Sequence, residues 1–140
     1  MFTLFFEKAS TPQARKAFHS LTFVVVMLAV AFFISHLITD FWWSNRIQHA
    51  LGGGATVFFL CWRIVGDAEL RISKMQTFIF CFLIVTALGV GNELVEYVMQ
   101  HWSVFVFAQT VDDTWLDLWS NAIGALISGV FLVTVLKQRS

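Results

Sequence analysis

Four stretches of this chain stay apolar for about the 20 residues that a helix needs to cross some 30 Å of hydrocarbon. The first, Phe18 to Ile38, contains the run Phe23-Val24-Val25-Val26-Met27-Leu28. The others are Ile47 to Val65, Met75 to Met99 and Trp115 to Leu136. Of 140 residues, 58% are hydrophobic and 13% charged, against about 25% charged in a soluble domain. The mean hydropathy is +0.74. So few charges cannot cover a water-facing surface. The expected fold class is therefore all-α and integral to a membrane: a four-transmembrane-helix bundle over residues 18–140. A cytoplasmic, interfacial segment over residues 1–17 precedes it.

The second stretch is the weakest span because of Gly52-Gly53-Gly54, but glycines are tolerated where helices pack closely. The first is too long for a cleavable signal peptide, and Ser35-His36-Leu37 is a poor cleavage site. Thr11-Pro12 reads as an N-cap followed by proline at the first helical position. A short helix carrying Arg15 and Lys16 should then lead into the first span, with Phe2, Leu4, Phe5 and Phe6 at the membrane surface. The formal net charge is zero, so nothing pulls the chain toward nucleic acid. Cys61 and Cys81 lie in separate apolar stretches without CxxC spacing and read as small buried hydrophobes.

Basic residues set the direction. Lys8, Arg15 and Lys16 precede the first span, Arg63, Arg71 and Lys74 flank the second loop, and Lys137 and Arg139 end the chain. Only Arg46 lies in the first loop, and His101 to Thr114 carries neither Lys nor Arg. The positive-inside rule places the richer side in the cytoplasm. The expectation is a multi-pass protein of a prokaryotic inner membrane with both termini cytoplasmic. Trp42, Trp43, Trp102 and Trp115 would form an outer aromatic belt.

With that direction, the polar residues within the spans gather near the outer face: His36, Asp40, Arg46, His49, Glu93, Glu96, Asp117 and Asn121. Gly89, Glu93, Glu96 and Gln100 make one helical stripe, as do Asp113, Asp117, Asn121, Gly124 and Ser128. Arg46, His49 and Gly53 align on the second helix, and His36 with Asp40 on the first. Such faces should point inward, because an Asp facing lipid at mid-bilayer costs about 2.5–3.5 kcal/mol on insertion scales. Structural explanations stand beside this one. Asp112, Asp113 or a Thr114-x-x-Asp117 box would cap the fourth helix, and Gly124-x-x-x-Ser128 and Ala125-x-x-x-Gly129 read as packing motifs. Glu93 with Glu96, two carboxylates one turn apart in an apolar span, is the strongest functional signal.

Two chemistries stay open. Carboxylates with a histidine can hold a divalent metal, with Glu93, Glu96, His49 and Asp117 as ligands, suited to hydrolysis at a membrane surface. Without a metal, crowded carboxylates supply a general acid or a proton carrier. No HExxH, GxSxG or glycine-rich phosphate loop is present, and Arg46 alone is no phosphate-binding cluster.

The third and fourth helices resemble VanZ-like and YjdF-like small bacterial membrane proteins. The residues carrying this are Asn92-Glu93-Leu94-Val95-Glu96, then Asp113-Thr114-Trp115-Leu116-Asp117, then Asn121-Ala122-Ile123-Gly124-Ala125. A YjdF-type pattern of E-x-x-E, D-T-x-x-D and G-A falls on Glu93, Glu96, Asp113, Thr114, Asp117, Gly124 and Ala125, and His49 with Gly52 or Gly53 resembles an earlier histidine-glycine element. A VanZ-type D-x-x-x-N-x-x-G falls on Asp117, Asn121 and Gly124, although the Asp-Glu-x-x-Gln element of VanZ is missing. The resemblance implies the architecture and the choice of residues rather than a reaction.

The expectation is thus a polar site for the head group of an envelope lipid or amphiphile, with or without a divalent metal. Glu93, Glu96 and Asp117 would be catalytic or ligating, and His49, Asp113, Asn121 and Arg46 would bind. The alternative is a non-enzymatic protein whose polar network fixes the bundle, as a homo-oligomer or a subunit of a membrane complex. Transport ranks lowest, since four short helices leave little room for alternating access.

Overall fold

The structure, a computed structural model, describes residues 12–102 and 110–135. Among these it is helical almost throughout and contains no strand. In chain order the elements are α1 (Pro12–His36), α2 (Phe41–Gln48), a π segment (His49–Thr56), α3 (Val57–Asp67), α4 (Lys74–Trp102) and α5 (Val111–Thr134). Three stretches, Arg15–His36, Lys74–Trp102 and Val111–Thr134, are long and apolar enough to cross a membrane. The stretch expected to supply the second span is also helical without a break, but as three consecutive short segments, α2, π and α3.

Helix ends follow local chemistry. Pro12 opens α1, where its missing N–H costs nothing. Arg15 and Lys16 do not sit on a separate lead-in helix; they belong to the first turns of α1, because nothing between them and Phe23 interrupts helical bonding. Phe2, Leu4, Phe5 and Phe6 lie outside the described residues. α1 stops at His36, so His36 and Asp40 do not share a helical stripe. Asp40 instead caps α2 by accepting from the Trp43 amide at 3.1 Å, and Ser44 Oγ donates to Ser35 O at 2.8 Å to close the corner. Ser73 and Gln76 form a reciprocal capping box at the start of α4, with Ser73 N donating to Gln76 Oε1 at 2.8 Å and Gln76 N to Ser73 Oγ at 3.2 Å.

The capping expected of Asp112, Asp113 or Thr114 falls to Thr110, whose hydroxyl accepts from the Asp113 amide at 3.2 Å. Asp112 and Asp113 occupy the first turn of α5, where the helix dipole favours carboxylates. That leaves Asp117 free of the capping box.

The π segment is where the helices come closest. A Cβ on Gly54 would stand 2.9 Å from Gly124 Cα and 3.1 Å from Ala125 N, and one on Gly124 would strike the Ala50 carbonyl. Backbone therefore lies on backbone, the close approach that small residues permit between membrane helices. The wider π turn is braced by Thr56, which is 2% exposed and donates to Leu51 O at 2.7 Å. Beyond the crossing, Phe58, Cys61, Cys81, Val85, Ala125 and Leu132 form the core. Gly129 leaves room for the Phe78 ring. Both cysteines are free and buried, as expected. Trp42, Trp43, Trp102 and Trp115 are exposed, as are most apolar side chains of α1.

Candidate functional site

Three elements converge just above the π–α5 crossing. Arg46, in the last turn of α2, is buried and reaches across to α5. Its guanidinium forms ion pairs with Asp113 and Asp117 through separate nitrogens and also donates to the Asp113 carbonyl at 3.2 Å. Trp42 stacks against it, 5.5 Å from ring centroid to guanidinium carbon. Asn45 Nδ2 donates to Asp117 Oδ1 at 3.2 Å, and His49 Nε2 lies 3.3 Å from the same oxygen. Arg46 is thus committed to two carboxylates rather than left as a lone outer cation.

On α4, Glu93 is 7% exposed, and neither carboxylate oxygen has a hydrogen-bond partner among the described residues. The Thr114 side chain approaches it from α5 without completing a bond of normal geometry. One ligand atom each from His49, Glu93 and Asp117 lies within 4.8 Å of the others. Glu96 is outside this triad: it accepts from Asn92 Nδ2 at 2.7 Å and lines a neighbouring cleft. Three residues along a helix turn a side chain by about 60° from its predecessor, enough to send the two glutamates to different neighbours.

Asn121, 4% exposed, fits between Gly53 and Gly89: a Cβ on the former would collide with its amide, and one on the latter would sit 3.3 Å from Nδ2. Its Oδ1 is buried without a hydrogen-bond partner among the described residues. The cleft beside these groups has a volume of about 690 Å³. Its lining mixes apolar side chains, Leu28, Ala31, Phe32, Val57, Val85 and Leu88, with polar ones, Asn45, Gln48, His49, Asn92, Glu96, Asp117 and Asn121.

His49, Glu93, Asp113, Asp117, Asn121 and Arg46 therefore come together, with Glu96 at the edge, while His36 and Asp40 serve the α1–α2 corner. Sequence reasoning passed over Asn45 and Gln48, and named Asn92 only within the family pattern and Thr114 only there and as a capping residue. Asn45 was findable, since it stands one turn before His49 on the same helical face.

No curated protein and no solved structure matches the chain. A family model described as a predicted membrane protein matches residues 2–138. Apolar helices and a match over nearly the whole length agree, and the chain belongs to this family, DUF2238.

Proposed function

We propose that the chain crosses a prokaryotic inner membrane four times, with both termini cytoplasmic, and that its cleft takes the head group of an envelope lipid or amphiphile. The π-interrupted rod Phe41–Asp67 would be the remaining crossing. Lys16, Arg63 and Asp67 meet at one end of the molecule, opposite the Arg46 cluster, in keeping with the positive-inside rule. The YjdF-type likeness is in line with this architecture. The observation that carries the reading is the cleft itself, whose lining combines apolar side chains with polar ones, as the two halves of an amphiphile require. Glu96 and His49 would face the head group as acid/base or hydrogen-bonding partners.

The test is native mass spectrometry of the protein extracted from its own membrane. Wild type should carry an amphiphile, and Leu28→Trp or Leu88→Trp, which narrow the cleft at exposed apolar positions of its lining, should lose most of it. A wild type with no bound amphiphile, or Trp variants that retain it, would sink the reading. For direction, a periplasmic reporter fused after His101 should be active; a silent one reverses the topology.

A second reading, a packing network without a ligand, is favoured by the Arg46–Asp113–Asp117 bridge, which ties two helices together whatever the cleft holds. It predicts that Glu93→Gln and Asp117→Asn deplete the protein from the membrane. The head-group reading predicts normal insertion with altered binding.

A further inference from the structure

Glu93 is hard to justify as a structural residue. A buried carboxylate without hydrogen bonds is costly unless a cation or a proton compensates it. The nearest guanidinium, that of Arg46, is already engaged by Asp113 and Asp117. With Glu93 and Glu96 also present, four carboxylates share one arginine, and one dication would remove most of the remaining negative charge.

We infer that His49, Glu93 and Asp117 bind one divalent transition-metal ion. The three ligands come from three separate helical segments, so their convergence is tertiary and not an accident of helical spacing. Ligand atoms around a four-coordinate ion at about 2.0–2.2 Å stand roughly 3.4 Å apart. His49 Nε2 and Asp117 Oδ1 are already 3.3 Å apart, and all three ligand atoms lie within 4.8 Å, so closure needs side-chain shifts on the order of 1 Å. Asp117 has capacity for this, because its contacts among the described residues fall on Oδ1. Asn45, which donates to the same carboxylate, would then orient it from behind, as outer partners of metal ligands do. One imidazole with two carboxylates suits Zn²⁺ or Mn²⁺ better than Ca²⁺, which takes six to eight oxygens. His49 and Asp117 line the cleft, so an open coordination position would face it. The inference stands on these ligands alone and survives failure of the head-group reading.

The experiment uses the full chain in detergent, stripped of lipid and treated with chelator, then titrated with Zn²⁺ against a chromophoric competitor and separately with Co²⁺ by absorption. One Zn²⁺ per chain is expected. Glu93→Gln and His49→Gln should each weaken it more than about 100-fold, beyond the 10–100-fold typical of outer-partner changes. Glu69→Gln, exposed at the far end of the rod, should bind as wild type. His49→Cys supplies a signature that no merely structural role would give, a new sulfur-to-cobalt charge-transfer band absent from wild type despite Cys61 and Cys81. A wild type that binds no ion, or a Glu93→Gln protein that binds as wild type, overturns the assignment; if Glu93→Gln is not recovered, a His49→Cys protein without the new band does so.

Discussion

Replacing Gly124 with alanine will force the π segment away from α5 and destabilise the fold by about 3 kcal/mol, the upper end of the usual overpacking range. The added methyl would meet the carbonyl and Cα of Ala50, which are backbone atoms and cannot rotate aside. Gly54→Ala should behave alike, since its methyl would press on Gly124 Cα and Ala125 N. Gly91 and Gly66 provide the contrast, because a Cβ on either meets nothing within 4 Å. Alanine there should be neutral or stabilising by up to about 1 kcal/mol, through helix propensity. Unfolding free energies in bicelles would decide the matter. A Gly124→Ala protein as stable as Gly91→Ala would mean that the crossing is not where the bundle is held.

That crossing explains which features the sequence could announce. Glu93, Asp117 and Asn121 were legible because each breaks an apolar stretch and helical spacing assigns its face. His49 followed from the antiparallel order expected of the apolar stretches. The partner of Arg46 was not legible: Asp113 and Asp117 lie 67 and 71 residues away, and only the packing of α2 on α5 brings them together. Gly52-Gly53-Gly54 signalled close packing, but not that the backbone widens into a π turn there, because the extra residue per turn answers to the contact with Asn121 and Gly124 rather than to local propensity. Glu96 is the instructive case, since it lines the cleft but lies outside the triad. It shares a stripe with Glu93, yet the narrow angle between them is enough for one to turn into the triad and the other toward Asn92. Capping was misplaced for a simpler reason: Thr110 precedes two aspartates, and all three residue types favour helix N-termini.

Arg46→Ala should be the most damaging change in the polar cluster. Removing one member of a buried ion pair costs about 3–5 kcal/mol, because the surviving charge is left uncompensated, and here two carboxylates lose their partner at once. Arg46→Lys should recover only part of the loss, since an ammonium is a point charge and cannot present separate nitrogens to Asp113 and Asp117. Combining Arg46→Met with Asp113→Asn and Asp117→Asn removes the charges together and should restore most of the stability, as apolar or neutral replacement of a whole buried network often does. The single Arg46→Ala variant connects fold to site. Without the guanidinium, His49, Glu93 and Asp117 face a larger excess of negative charge, so a bound dication has more to compensate. Zn²⁺ should therefore raise the unfolding midpoint of Arg46→Ala by more than it raises that of wild type, because a ligand stabilises the folded state in proportion to its affinity for it. An equal shift in the two proteins would separate the arginine bridge from the triad and leave Arg46 a purely architectural residue.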